Sequence, residues 1–301
     1  MVSPRGPKRC NHLNVTITDR PRPVMSGTLY LVATPIGNLE DITLRAIRIL
    51  GEVDLIAAED TRHTAKLLRH HGVSTKTTSL HEHNERQKSP KLVARLLEGS
   101  SIALLSDAGT PVVSDPGLVL VRQALNAQVQ VVPLPGPSAA IAALVGSGAP
   151  PHSFTFVGFP PRKSNDRKKW CLDLAAETRT LIFFESPHRI RATFRIAREC
   201  WGDRQVTICR ELTKIHEELV TRPISEHIDT ITSPRGEYTC VVWPPLQPFP
   251  VAVPLPERSV LQYEFGQTTE KIGSRRAAVK EMAKKYGLST RDMYTELHKL
   301  T

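Results

Sequence analysis

Ser101-Ile-Ala-Leu-Leu-Ser-Asp-Ala-Gly-Thr-Pro-Val-Val-Ser-Asp-Pro-Gly117 decides how this chain is read. Ile102 to Leu105 is an apolar run of the right length for a buried strand of a parallel sheet. The chemistry then changes abruptly. Ser106, Asp107, Ala108, Gly109, Thr110 and Pro111 are small, polar or conformationally special, and Asp115-Pro116-Gly117 is a second turn signal. Leu118 to Leu125 reads as a helix. A strand that ends in small residues lets backbone N–H and C=O groups approach a ligand. Ligands of open α/β sheets sit off the carboxyl ends of the strands. By itself the stretch fits either a binding floor or an ordinary strand-to-helix turn.

Working outward, the same grammar recurs. Thr28 to Ala33 is a buried strand, followed by the Gly/Pro loop Thr34-Pro-Ile-Gly-Asn-Leu-Glu-Asp41. A helix follows from Ile42 to Leu50, with Gly51 expected at its C′ position. Neither a Gly-x-Gly-x-x-Gly fingerprint nor a Walker loop is present. Asp54 to Asp60 is a short strand ending in two carboxylates, Glu59 and Asp60, which suit either a ligand or the N-terminus of the next helix, Thr61 to His71. His81-Glu-His-Asn-Glu85 has the wrong spacing for a helical metal site and reads as a polar loop or a substrate contact. Ser89, Pro90 and Gly99 mark the cap, first turn and end of a further helix. Val129 to Leu134 is another strand, and the free N–H groups of the turn at Pro135-Gly-Pro-Ser-Ala-Ala140 suit a polar ligand group or close packing on a sheet.

Strand–helix alternation predicts a parallel sheet. Gly146 to Pro151 reads as a linker into a second unit with strands at 153–159, 180–185, 206–209 and 236–243. Between them lies the basic loop 160–169, with Arg162, Lys163, Arg167, Lys168 and Lys169, which suits phosphate contacts or plain solvation. His188, Arg189 and Arg191 crowd the start of the helix running to Trp201, where the helix dipole disfavours cations. Beyond a proline-rich linker at 244–256, residues 274–297 read as two helices joined at Gly287, with Ser289 or Thr290 capping the second. That is helix-turn-helix spacing, serving nucleic-acid contact through Arg275, Arg276, Lys280, Lys284 and Lys285, or docking on the body. Residues 1–24, proline-rich and basic, read as a leader without a fold of its own.

At 301 residues there is room for more than one core, and the formal net charge of +10 favours a polyanionic partner. No apolar run is long enough for a membrane span. Cys10, Cys171, Cys200, Cys209 and Cys240 are scattered without a Cys-x-x-Cys pair, which points to reduced thiols in a cytoplasmic protein and away from a disulfide frame or zinc site. Aromatics at 5% give little support for a broad base-stacking surface.

Taken together and in order, Gly27 to Asp41, Ala58-Glu-Asp-Thr-Arg62, His81 to Glu85, Ser106 to Gly117, Pro133 to Ala139, Phe184-Glu-Ser-Pro-His-Arg-Ile190 and Arg210-Glu-Leu-Thr-Lys214 resemble the small-subunit ribosomal RNA (cytidine-2′-O)-methyltransferases of the tetrapyrrole methylase superfamily. The resemblance implies an α/β protein of two tetrapyrrole methylase-like domains, residues 25–135 and 136–245, plus a helical region at 257–301. It implies S-adenosylmethionine in the inter-domain cleft, a homodimer, and methylation of a cytidine ribose in the decoding region of 16S rRNA on the small ribosomal subunit. On this reading Pro35, Asn38, Asp107, Ala108, Gly109, Thr110, Ser138 and Ala139 contact the cofactor. Glu59, Glu85 and Glu211 are candidate bases, Lys214 is a cation for a developing alkoxide, the 162–169 cluster meets RNA, and no metal is required. The superfamily's Gly-Asp-Pro loop corresponds here to Gly109-Thr110-Pro111, so its aspartate is replaced by threonine.

Overall fold

The run Ile102–Leu105 forms β4, enclosed on both sides within a parallel sheet. The computed structural model describes residues 26–231, 235–245, 255–286, 288 and 290–298; the leader 1–24, most of the proline-rich linker, Gly287, Ser289 and the Lys284 side chain lie outside the described residues. The first half runs β1 (Thr28–Val32), α1 (Leu44–Glu52), β2 (Leu55–Ala58), α2 (Thr61–His70), β3 (Thr77–Ser79), α3 (Glu85–Leu97), β4, α4 (Leu118–Asn126) and β5 (Gln130–Leu134). Its strands are ordered β3-β2-β4-β1-β5, all parallel, with Val32 and Ala58 both opposite Leu105. That shared register brings the ends of three strands to one level. Helices on the two faces close separate cores, one around Ile49, Leu50 and Leu105, the other around Leu92, Leu96, Leu104 and Leu120.

The second half begins with α5 (Ala139–Ser147), whose Ala140, Ala143 and Leu144 pack on Ile182, Cys209 and Val241. It continues through β6 (Phe154–Phe156), α6 (Ser164–Asp173), β7 (Thr180–Glu185), α7 (Ile190–Trp201), β8 (Gln205–Arg210), β9 (Glu218–Pro223), α8 (Ile224–Thr230) and β10 (Tyr238–Val242). The order is β6-β7-β10-β8-β9; β6 and β7 are parallel and the remaining pairs antiparallel. Its core is aromatic. Phe183, Phe194 and Trp201 are fully buried, worth about 1.5–3 kcal/mol each, and Trp201 donates its indole N–H to Cys171 O at 2.7 Å. Helices α9 (Arg258–Ile272), α10 (Arg275–Lys285) and α11 (Thr290–His298) share their own small core around Leu261, Met282, Tyr286 and Met293.

Several expectations need correction. Gly51 does not end α1, which runs on to Glu52 with Val53 as its cap. Helix α3 starts four residues before Ser89: Asn84 holds the N-cap position without a side-chain cap bond, and Pro90 sits within the helix. At the sixth position Pro90 lies beyond the first turn, so the helix goes without the bond that a backbone N–H there would make to Arg86 O. The basic "loop" from Ser164 onward is helix α6. Strand β9 and helices α8 and α9 carry no clear sequence signal and emerge only in the fold.

Candidate functional site: a cleft between the two sheets

The chain leaving β4 turns across the carboxyl end of the first sheet. Thr34 and Gly109 exchange backbone bonds at 2.9 and 3.0 Å, and Thr34 Oγ1 donates to Ser106 O at 3.1 Å. The loop after β1 and the loop after β4 are thereby stapled together. Gly109 has φ +79°, a conformation that costs other residues about 1–2 kcal/mol. Val112 and Ser114 also adopt positive φ, at 73° and 67°, and for a β-branched valine this is a genuine departure from ordinary backbone. That turn brings Asp115 back over the strand ends. Thr110 Oγ1 donates to Pro137 O at 3.1 Å, tying the β4 loop to the turn before α5. Threonine at this position thus joins two loops of the cleft.

These loops line a cleft of about 390 Å³, a size suited to a small ligand. The first half contributes Ile36, Glu59, Asp107 to Thr110, and Val113 to Asp115. The segment entering α5 contributes Ser138 and Ala139, and the second sheet contributes Phe159, Phe184 to Pro187, and Gly236 to Thr239. The small-residue turns after two different strands, β4 and β5, therefore share one cavity. Ser138 makes no side-chain cap bond to α5, so the first-turn N–H groups of that helix have no capping acceptor there. Phe159 and Phe184 lie with ring centroids 5.4 Å apart and give one side an aromatic wall.

The opposite side is acidic. Burial raises the Glu59 pKa, partly opposed by the Asp107 N–H that points at its Oε2. Burial first, and the neighbouring Glu59 second, push Asp115 up to about 6. Asp107 accepts the Asp60 N–H at 3.0 Å through Oδ1. Asp60 itself caps α2 by accepting the Arg62 N–H at 2.8 Å. The two carboxylates ending β2 have divided the roles left open by the sequence: Asp60 caps a helix and Glu59 faces the cleft.

Other expected residues lie elsewhere. Glu85 is buried and accepts the Gly117 and Val119 N–H groups at 3.1 and 2.6 Å. It pins the start of α4 and is not placed to act as a base. Pro35 and Asn38 do not line the cleft; Ile36 between them does. Asn38 instead accepts the Glu40 N–H and donates its own N–H to Thr213 Oγ1 at 3.1 Å, bridging the two halves. Glu211 and Lys214 form an ion pair at 2.9 Å just outside the lining, with Glu237 also 3.1 Å from Lys214. The Lys214 bond and the Glu237 N–H hold the Glu211 carboxyl below its usual range, and burial of Lys214 is more than offset by its two acidic partners, so its pKa rises. Arg167 is buried in α6 and its Nη1 points to the carbonyls of Pro161 and Arg162, so it is not part of an RNA-facing surface. Arg162, Lys163 and Lys169 stay exposed, and Lys168 pairs with Glu199 at 3.2 Å. Two cations at the start of α7 also have internal partners: Arg189 pairs with the fully buried Glu185 at 2.6 Å, and Arg191 donates to Ile228 O.

Residues 28–227 match the protein family described as Tetrapyrrole (Corrin/Porphyrin) Methylases. The chain belongs to the tetrapyrrole methylase family. Within it, this methylase is 55% identical over 219 residues to a protein named Ribosomal RNA small subunit methyltransferase I from Vibrio cholerae, covering 71% of the chain and 76% of the relative. It is 43% identical over 278 residues to the protein of the same name from Streptococcus pyogenes serotype M3, covering 91% and 96%. These identities place the methylase in the ribosomal RNA small subunit methyltransferase I family. A solved uroporphyrin-III C-methyltransferase of Thermus thermophilus, complexed with S-adenyl homocysteine, superposes with a TM-score of 0.54 at 20% identity over 72% of this chain and 97% of its own. Diphthine synthase gives 0.57 at 14%, over 72% and 90%. At such identities the likeness speaks for the two-sheet fold alone.

The cleft fits S-adenosylmethionine on its own chemistry. Bare backbone at 106–110 and the uncapped turn of α5 offer hydrogen bonds, Ile36 and the phenylalanines offer an apolar face, and Glu59, Asp107 and Asp115 offer negative charge to a cationic ligand. Asp115 escaped sequence reasoning because its place in the cleft depends on the left-handed turn at Val112 and Ser114.

Proposed function

We propose that this methylase transfers a methyl group to the 2′-hydroxyl of a cytidine ribose in the decoding region of 16S rRNA, acting on the small ribosomal subunit as a cytoplasmic homodimer. The observation that carries this reading is the 43–55% identity to proteins named Ribosomal RNA small subunit methyltransferase I. S-adenosylmethionine, when bound, supplies an electrophilic sulfonium methyl group, so the chain is left with orientation, charge and a proton acceptor.

Asp107 to Thr110, with Ser138 and Ala139, would hold the cofactor against the aromatic wall. The acidic side favours a cationic sulfur. A ribose hydroxyl must lose its proton as it attacks, and a base works best when its pKa is near the working pH. Asp115, at about 6, meets that requirement, Glu59 is shifted in the same direction by burial, and both line the cleft. Glu211 is a poorer base, since Lys214 holds its carboxyl down. The proposal therefore keeps Glu59 from the three candidate bases, sets Glu85 and Glu211 aside and adds Asp115. Exposed Arg162, Lys163 and Lys169 would neutralise RNA phosphates along the second half.

The test is incubation with tritiated S-adenosylmethionine and small subunits from cells lacking the modification, followed by nucleoside analysis. Label on a cytidine ribose is expected. Unlabelled rRNA would overturn the reading, and label on a tetrapyrrole acceptor instead would reassign the substrate.

A further inference from the structure

We propose that the groove between α9 and the α10–α11 pair is a binding site for unpaired RNA, separate from the methyl-transfer cleft. The proposal rests on ribosomal RNA being the substrate and names a second place where the chain holds it. The groove has a volume of about 560 Å³ and is lined by Phe265 of α9, Arg275 and Arg276 of α10, and Arg291, Tyr294 and His298 of α11, together with Val279 and Thr290. Three guanidinium groups face it, and no carboxylate is among its lining residues. Tyr294 and His298, one helical turn apart, are stacked with centroids 4.1 Å apart and planes 13° from parallel. His298 Nδ1 lies 3.0 Å from Tyr294 O, which fixes the ring. The Arg275 guanidinium sits 5.7 Å over the Phe265 ring, so a flat cation is already held against an aromatic face.

The module that carries the groove is internally braced. Glu264 on α9 takes hydrogen bonds from Lys285 and Tyr286, and Leu261, Met282 and Met293 form its core. Phe265 packs against that core, whereas Tyr294, His298 and the three groove arginines are not among its residues. Tyr294 is 55% exposed, a high value for a tyrosine serving only to pack.

Three arginines in a lining that holds no carboxylate call for an anion, and stacked rings beside them call for a planar partner. Unpaired RNA offers both on one strand: phosphates for the guanidiniums and free base faces for Tyr294 and His298. A duplex does not. The major groove of A-form RNA is too narrow and deep for side chains to read, and its bases are already stacked on one another. The helix-turn-helix spacing read from the sequence therefore points away from duplex insertion: the aromatic face of α11 lines a groove shared with α9.

The test uses the full chain without cofactor and fluorescence anisotropy with a labelled single strand of about 12 nucleotides and a hairpin of matched composition. Preference for the single strand is expected. Tyr294→Ala should weaken binding roughly tenfold and Tyr294→Phe should restore it. Arg275→Ala with Arg276→Ala should reduce the slope of log affinity against log salt by about 1.4, at 0.7 per phosphate contact. Circular dichroism and S-adenosylmethionine calorimetry on each variant verify that the fold and the cleft are intact. Unchanged binding in Tyr294→Ala and in the double arginine variant, or preference for the hairpin, would overturn the proposal. Failure of the wild type to methylate rRNA with groove binding intact would overturn the proposed function and leave this one standing; normal methylation with a silent groove would do the reverse.

Discussion

The two walls of the cleft are built on opposite plans. The first sheet is wholly parallel, so every strand ends at the same edge and the loops there gather Glu59, Asp107 and Asp115. The second sheet is mostly antiparallel, and it presents Phe159, Phe184 and Tyr238 with a deeply buried carboxylate, Glu185, neutralised by Arg189. Acid crowds one wall unpaired, while on the other it is locked in a salt bridge. The contrast teaches where electrostatic tension is tolerated for function and where it is cancelled for stability.

The sharpest way to break the contrast is Arg189→Met. Glu185 also accepts from Ser186 N and Thr193 Oγ1, so the substitution strands a charge that has no access to water. A loss of about 3–5 kcal/mol is expected in urea denaturation. The counterpart on the first wall is Glu85→Ala, which leaves the Gly117 and Val119 N–H groups without their acceptor. About 1–3 kcal/mol should be lost by the same measurement, with S-adenosylmethionine affinity reduced because the 106–117 loop loses its anchor. Gly109→Ala comes next. Its φ of +79° should cost about 1–2 kcal/mol, and calorimetry should show weaker cofactor binding.

Asp115→Asn gives the smallest effect and the most specific one. An aspartate in an unfolded chain loses its proton near pH 4, but in the fold Asp115 keeps it up to about 6. The folded state therefore binds the extra proton, and this contribution to stability is full below about 4 and lost as pH rises through 6. The melting temperatures of wild type and variant should coincide near pH 4 and diverge in favour of the variant by pH 8. A pH-independent difference would show that the acidic wall carries no tension.

Legibility in the sequence followed the same division. Buried parallel strands such as Ile102–Leu105 announce themselves as apolar runs with small-residue turns, and the turn after this one lines the cleft. Strand β9 does not, because it is an edge strand with mostly exposed or half-buried side chains and no alternation to detect. Arg167 looks identical to Lys168 and Lys169 in sequence. Only the helical phase, which places it one turn before the buried Cys171, turns it inward. Helix α9 buries little beyond Leu261, so its apolar face is too thin to register as a period. The acidic wall was partly visible through Glu59 and Asp107, but not Asp115, whose position is set by backbone torsion and not by residue type.

The hydrogen bond from Asn38 to Thr213 spans 175 residues of sequence. At typical synthesis speeds the loop bearing Asn38 emerges roughly 10 to 35 s before its partner exists. During that interval the nascent first half can form its sheet, but the opposite side of its ligand-facing edge stays incomplete. Closure of the cleft is therefore a late event in the life of each new molecule, and a truncated product that stops short of Thr213 lacks both this tie and the Gly236 to Thr239 part of the lining.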